Sequence, residues 1–149
     1  MRMDEKLVLA PNPANNCFGC GGANGSGMQL TFEVDRDTGR ASGKFILGPR
    51  YAGGAGFVHG GVIAVLLDEV MGKISKLSEE RAVTAELSIE YRKPVPTDAE
   101  IVVSGWQENE KGRSRFRIGE IHDAHGNLLA RGRGRFVVVG QPVVTARSS

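Results

Sequence analysis

The stretch GFVHGGVIAVLLDEVMG, residues 56–72, decides how this sequence is interpreted. It begins with a histidine between apolar and glycine residues and continues as an apolar helical pattern, which two acids, Asp68 and Glu69, interrupt. A carboxylate among apolar side chains loses its contact with water, so it requires either a partner or a function. The stretch therefore predicts a long helix, from about Gly60 to Leu77, that carries a polar feature.

The two acids occupy different faces of this predicted helix. With about 100° of rotation per residue, a stripe of small residues surrounds Asp68, whereas Glu69 shares its flank with Lys73 and Lys76. We therefore expect Glu69 to lie on a solvated or ion-paired flank. Asp68 has no basic partner on its own helix, so function and a contact across a subunit interface are equally good explanations. The small residues are Gly61, Ala64, Gly72 and Ser75, and the large apolar residues of the opposite face are Ile63, Leu66, Val70, Ile74 and Leu77.

The start of the helix offers backbone donors. His59 is followed by Gly60 and Gly61, which have no side chains to cover the unpaired N–H groups of the first turn. Those groups and the helix dipole favour a negative oxygen. The alternative is that the glycines only permit tight packing and that His59 caps the helix or lies in the core.

Six further segments read as strands, and they define the fold class. They are residues 28–34, 40–47, 83–91, 100–110, 113–123 and 128–139. Because the links after the helix are short, neighbouring strands should be antiparallel, which predicts an α+β fold with the sheet wrapped on the helix. The length suits a single domain over 1–149, with a core at about 15–139 and irregular ends at roughly 1–16 and 141–149.

Composition excludes several classes of partner. The chain is 40% hydrophobic and 24% charged, and its net charge of +2 is too small to imply nucleic acid or a membrane surface. No apolar run reaches the length of a membrane span, and the first residues do not resemble a signal peptide. We therefore expect a cytoplasmic protein without nucleic-acid or membrane partners.

Two cysteines, Cys17 and Cys20, form one Cys-x-x-Cys motif in NCFGCGG. The motif supplies two ligands, whereas a structural zinc site requires four, and the three histidines would complete it only by coincidence of folding. Its Asn and Gly flanks indicate a loop rather than the strand-to-helix junction of a thioredoxin-type motif. The sequence thus favours a plain loop with no metal, over metal or redox chemistry.

Two segments together resemble a known family. GFVHGGVIAVLLDEVMG and the later TAELSIEYRKPVP are similar to the hotdog-fold acyl-CoA thioesterases of the PaaI (phenylacetic acid degradation) type, in the 4-hydroxybenzoyl-CoA thioesterase superfamily. NCFGCGGANGSGMQLTF resembles the opening of a subset of that family, with GSGMQL in place of a proline-containing version. The likeness covers about residues 15–139.

The resemblance implies a fold, an assembly and a reaction. The implied fold is a curved antiparallel sheet of about five to six strands around one long central helix. Subunits would pair as a dimer or a dimer of dimers, with the site at the subunit contact. The implied reaction is hydrolysis of a fatty or aryl acyl-CoA to free acid and coenzyme A, which is part of the substrate, so no cofactor is expected.

The resemblance also implies residue roles. Asp68 would be the nucleophile or general base, Gly60 would supply the oxyanion N–H, and Thr84 would orient the water. His59, directly before Gly60, is included among the catalytic residues. Gly61 and Glu69 are included as substrate-binding candidates beside them.

One position departs from the family pattern. Many members carry Asn or Gln six residues before the histidine, where this chain has Gly53. A side-chain carbonyl contact from that loop is therefore not expected.

Basic residues suggest where the coenzyme phosphates could bind. If AHGN closes a hairpin, two arginine rows should lie nearly opposite each other, and facing like charges require acids or an anion between them. The rows are Arg113, Arg115 and Arg117, and Arg131, Arg133 and Arg135. We take Arg133 as a candidate, with Arg92 and Lys93 as second candidates. The alternative is a solvated basic face that Glu86, Glu90 or Glu120 balances.

Two other functions remain open. The first is a non-catalytic acyl-CoA-binding or regulatory hotdog protein. The second is a hotdog dehydratase or hydratase that acts on the β-carbon of a thioester, which would need a histidine and an acid facing each other across the pocket; only His59 is suitable.

Overall fold

The computed structural model describes residues 5–140, which form one antiparallel sheet and one principal helix. The strands are β1 (Lys6–Leu9), β2 (Phe32–Asp35), β3 (Ala41–Ile46), β4 (Arg81–Tyr91), β5 (Glu100–Lys111), β6 (Ser114–Asp123) and β7 (Leu128–Gly140). The helices are α1 (Gly60–Lys73) and α2 (Ser75–Ser78), and a 3-10 turn spans Pro49–Tyr51. None of the helices in this part of the chain is long and apolar enough to cross a membrane.

The sheet order is β1-β2-β3-β5-β6-β7-β4, and every neighbouring pair is antiparallel. β4 follows the helices in sequence, yet it lies beyond β7 at the edge of the sheet. α1 packs on the inner face, so the predicted α+β class and the hotdog arrangement of a sheet around one long helix are confirmed.

Glycines in the central strands let α1 approach the sheet closely. A Cβ atom at Gly119 would lie 3.2 Å from Leu67 Cδ2, and one at Gly132 would lie 3.3 Å from Leu67 Cδ1. Leu67 and Met71 are fully buried against this surface. Side chains at the two glycine positions would occupy the space that these helix residues fill.

Two predicted boundaries near the start of the chain differ from the structure. Residues 6–9 were expected to be irregular but form β1, which pairs with β2. The second strand begins at Phe32 instead of residue 28, because Met28 and Leu30 donate backbone hydrogen bonds to the cysteine loop at Phe18 and Gly19. The expectations for 1–4 and 141–149 concern residues outside the described range.

The predicted helix to Leu77 is interrupted at Ile74. Arg117 donates from Nη1 to the Met71 carbonyl oxygen at 2.9 Å, and a continuous helix would present that carbonyl to the N–H of Ser75. The Met71 carbonyl accepts from Arg117 and from the Ile74 N–H at 3.4 Å where α1 ends.

The two arginine rows do not face each other, so that expectation was wrong. The hairpin does form, but its register pairs Arg117 with Gly134 and Arg133 with Ile118. Arg117 points inward beneath α1 and is 1% exposed, whereas Arg133 is exposed on the outer face. A single-residue difference in register is sufficient to separate the rows, because strand side chains alternate between faces.

Candidate functional site

Asp68 and Thr84 form the centre of the candidate site. α1 directs Asp68 toward the beginning of β4, where Thr84 Oγ1 donates a hydrogen bond of 2.7 Å to Asp68 Oδ1. Both residues line a cavity of about 320 Å³, whose wall includes Gly72, Ser75 and Phe136. Two of the four small residues of the stripe, Gly72 and Ser75, therefore border open space beside the carboxylate.

The environment of Asp68 favours its neutral form more than water does. Burial raises the pKa of Asp68 above its ordinary value, and the charge of Glu69 raises it further. The hydrogen bond from Thr84 acts in the opposite direction. A carboxylate with a raised pKa binds protons more readily, which suits a base.

The start of α1 presents one unpaired backbone donor. His59 is the N-cap residue, and its Nδ1 accepts a 2.8 Å hydrogen bond from the Gly61 N–H. Tyr91 donates its hydroxyl to the Gly60 carbonyl oxygen at 2.9 Å. Within residues 5–140 the Gly60 N–H has no acceptor. The capping interpretation of His59 is thus confirmed.

Glu69 was expected to lie on a flank that is either solvated or ion-paired. It does not lie on a solvated flank, so the first of these alternatives was wrong. Its side chain is only 15% exposed, because the cysteine loop covers it: a Cβ at Gly19 would lie 2.6 Å from the Glu69 carboxyl carbon. The other alternative holds, since Lys73 Nζ lies 3.5 Å from Glu69 Oε1. Cys17 Sγ also lies 3.8 Å from Glu69 Oε2. Periodicity places residues on helix faces but does not show which loop covers a face.

Cys17, Cys20 and Glu69 are the closest approach to a metal site in the described part of the chain. Their ligand atoms lie within 4.8 Å of one another. However, burial raises the pKa of the Cys20 thiol to about 11. Burial would lower the pKa of Lys73, but a hydrogen bond to Cys20 and the charge of Glu69 raise it. The ammonium group of Lys73 thus lies beside the cluster, and the absence of a metal stays a prediction.

The predicted phosphate-binding residues lie on exposed surface and have acidic neighbours. Arg133 Nη1 is 3.7 Å from Glu108, and Arg92 Nε is 3.2 Å from Glu90. Lys93 is exposed at the end of β4. Arg135 pairs with Glu86 and Arg131 pairs with Glu120, which matches the alternative of a basic face balanced by acids.

Gly53 lies against the histidine that begins the helix. A Cβ atom at this position would be 3.2 Å from His59 Cα. The loop at Gly53 therefore packs closely against His59, and a larger residue at position 53 would require the loop to shift.

Five of the predicted site residues take part in two separate contacts, one at the start of α1 and the other two turns further along α1, beside the start of β4. His59 with the two glycines forms the first contact, and Asp68 with Thr84 forms the second. Sequence reasoning missed Tyr91, which was assigned only to a strand face. The only feature of the sequence that could have identified Tyr91 is its hydroxyl group, at the end of the alternating strand that also carries Thr84.

Comparison with known proteins points to one family. The family model described as "Thioesterase superfamily" matches residues 55–130. The acyl-coenzyme A thioesterase THEM4 of Mus musculus is 35% identical over 92 residues, which are 62% of this chain and 40% of that protein. The chain spans less than half the length of the curated relatives it matches.

Two solved structures extend the likeness. The thioesterase superfamily protein RHA08564 superposes with a TM-score of 0.76 at 31% identity, over 82% of this chain and 60% of that one. The PaaI protein of the E. coli phenylacetic acid degradation operon superposes with a TM-score of 0.67 over 71% of this chain and 77% of that one. At 17% identity the second comparison shows the fold alone.

Proposed function

The chain belongs to the thioesterase superfamily, and we propose that it hydrolyses the thioester of a fatty or aryl acyl-CoA to the free acid and coenzyme A. The observation that carries the proposal is the hydrogen bond from Thr84 to Asp68 inside an open cavity. The name of the mouse relative, an acyl-coenzyme A thioesterase, supports the class of substrate.

The first chemical requirement is to stabilise negative charge on the thioester oxygen. That oxygen becomes an oxyanion when the carbonyl carbon is attacked. A fixed N–H donor stabilises the oxyanion more than it stabilises the neutral carbonyl oxygen of the substrate. The unpaired Gly60 N–H at the positive end of α1 suits this role, although within one protomer Gly60 does not line the cavity beside Asp68. No cofactor is needed for the step, because the coenzyme belongs to the substrate.

The second requirement is an oxygen nucleophile, which Asp68 supplies in one of two ways. Its carboxylate either attacks the carbonyl carbon directly or removes a proton from an attacking water. Thr84 holds one carboxylate oxygen and leaves the other for the reaction. On either route the thiolate of coenzyme A leaves and takes up a proton. On the direct route a water then hydrolyses the anhydride formed between the acyl group and Asp68, which releases the free acid and restores the carboxylate.

We include a homo-oligomer, either a dimer or a dimer of dimers, in the proposal. β4 is an edge strand whose Val83, Leu87 and Tyr91 are exposed apolar or aromatic residues. Unpaired edges and exposed apolar groups favour coverage by another subunit. Because Thr84 is on the same strand, the candidate site would lie at that contact. A cytoplasmic location is part of the proposal and agrees with the free thiols of the two cysteines.

Release of free thiol from a panel of acyl-CoAs, detected with a thiol-reactive dye, tests this function. The panel should contain fatty and aryl thioesters of increasing length. Hydrolysis by the wild type, together with loss in Asp68→Asn, is the expected result. Tight binding of acyl-CoA without thiol release would instead indicate the non-catalytic protein, and hydration of an enoyl-CoA would indicate the hydratase.

A further inference from the structure

We propose that Tyr91 is a positioning residue, which holds the Gly60–Gly61 peptide so that the Gly60 N–H keeps one direction during the reaction. The inference rests on the proposed thioester hydrolysis and extends it to a residue on a different element of the fold. Tyr91 comes from the end of β4, whereas the peptide it holds begins α1.

The Gly60–Gly61 peptide is held from both sides. Its carbonyl oxygen accepts the Tyr91 hydroxyl at 2.9 Å, and its N–H donates to His59 Nδ1 at 2.8 Å. The aromatic ring also lies beside the glycine, since a Cβ atom at Gly60 would be 3.7 Å from the ring. Tyr91 belongs to a strand and His59 is the cap residue of the helix. Their contacts therefore fix the orientation of a peptide whose own glycine backbone is flexible.

The preceding peptide, between His59 and Gly60, carries the donor that the reaction needs. Its carbonyl oxygen accepts from Val62 N at 2.9 Å and from Ile63 N at 3.1 Å. Two hydrogen bonds at one end of a peptide polarise it and strengthen its N–H as a donor. That N–H belongs to Gly60 and has no acceptor within residues 5–140.

The two peptides are joined only through the Cα atom of Gly60. Glycine lacks the Cβ atom that restricts other residues, so rotation at this point is the main freedom that could turn the donor away. Holding the second peptide removes much of that freedom. The Tyr91 hydroxyl thus acts on the oxyanion through Gly60, without contacting the substrate itself.

The predicted consequence of Tyr91→Phe is a loss of kcat of roughly tenfold, in line with the net worth of one hydrogen bond. KM should change little, because the hydroxyl points at the backbone and not at the bound coenzyme. Tyr51→Phe is the matched control: it removes the same hydroxyl, which makes no hydrogen bond in the described part of the chain. Incorporation of 3-fluorotyrosine at position 91 keeps the hydroxyl and should restore turnover.

A spectroscopic readout separates positioning from a structural effect. The probe is an acyl-CoA ketone analogue, in which a methylene group replaces the sulfur, and its companion is a thioether that lacks the carbonyl. In the wild type the infrared carbonyl stretch of the bound ketone should move to lower frequency. In Tyr91→Phe that movement should shrink and the ketone should bind less tightly, whereas thioether affinity should stay constant. Thermal unfolding of each variant shows that the fold is retained.

The outcomes discriminate between the two proposals. Wild-type turnover with an unchanged kcat and carbonyl frequency in Tyr91→Phe overturns the role of Tyr91 alone. Equal weakening of the ketone and the thioether also overturns it, because a general distortion of the pocket would then be responsible. If the wild type hydrolyses no acyl-CoA, the proposed function fails and the positioning role fails with it.

Discussion

Two adjacent acids should respond in opposite ways to the same conservative change. Asp68→Asn should abolish most turnover while the fold is retained, whereas Glu69→Gln should retain turnover and lose stability. The difference follows from their surroundings. Asp68 borders the open cavity and accepts one bond from Thr84, and Glu69 is enclosed beside the ammonium group of Lys73.

The size of the Glu69→Gln effect follows from the burial of the ion pair. The side chains of Glu69 and Lys73 are 15% and 11% exposed, so the variant leaves a largely desolvated cation without its partner. Breaking a buried pair in this way costs about 3–5 kcal/mol. Since the pair retains some exposure, we take about 3 kcal/mol, which corresponds to a fall in Tm of roughly 6–12 °C for a domain of this size.

For Asp68→Asn the sign of the stability effect is reversed. A carboxyl whose pKa is raised in the folded state contributes stability below its ordinary pKa, and that stability is lost as the pH rises through the raised value. At neutral pH the charged group therefore weakens the fold, and Asn removes the charge while keeping an oxygen for Thr84. Tm should stay constant or rise, and kcat should fall by about 10²–10⁴-fold.

Thermal unfolding at neutral pH and thiol release on the best acyl-CoA measure both quantities. A double variant, Glu69→Gln with Lys73→Met, serves as the control, because it removes the orphaned cation and should recover much of the lost Tm. The reasoning is refuted if Glu69→Gln melts with the wild type, or if Asp68→Asn is folded and still active. If Glu69→Gln is folded but inactive, the catalytic role belongs to Glu69 instead of Asp68.

Four further expectations follow from the site and its surroundings. Thr84→Val removes the bond that lowers the pKa of Asp68, so the acid limb of the pH–rate profile should move to higher pH, and an unmoved limb would contradict this. Arg133→Ala should raise KM for acyl-CoA but not for the matching acyl-pantetheine, which lacks the nucleotide phosphates; equal effects would exclude phosphate binding. Light scattering at micromolar concentration should give at least twice the chain mass of 15.9 kDa, whereas a monomer mass would contradict the oligomer. Elemental analysis of protein purified without added metal should find far less than one zinc per chain, and a stoichiometric zinc would assign Cys17 and Cys20 to a metal site.

Periodicity predicted the elements better than it predicted their contacts. The helix wheel placed Asp68 on a stripe of small residues, and two of them, Gly72 and Ser75, border a cavity. The same wheel could not show that the cysteine loop covers Glu69, since that loop lies about fifty positions earlier in the sequence. Long-range coverage depends on chain topology, which local spacing does not encode.

The hairpin between β6 and β7 gives the second example. Its turn was recognisable from AHGN, but the register that separates Arg117 from Arg133 depends on which residues pair across it. Tyr91 is the third example, because its hydroxyl finds the Gly60 carbonyl only after β4 crosses to the sheet edge. In each case the residue type was visible in the sequence, and its partner came from the tertiary arrangement.

The glycines beneath α1 allow the helix to lie close to the sheet, and this affects the position of Asp68 in the site. A methyl group at Gly119 would come within 3.2 Å of Leu67 and 3.3 Å of Val70, both of which are fully buried, so its neighbours would have to give by a few tenths of an ångström. If α1 moved outward by that amount, it would carry Asp68 with it. Thr84, on the sheet, would not follow, so a 2.7 Å hydrogen bond would stretch. The hydrogen bond between Thr84 Oγ1 and Asp68 Oδ1, at the edge of the sheet, therefore limits which residues can replace the glycines in the centre of the sheet.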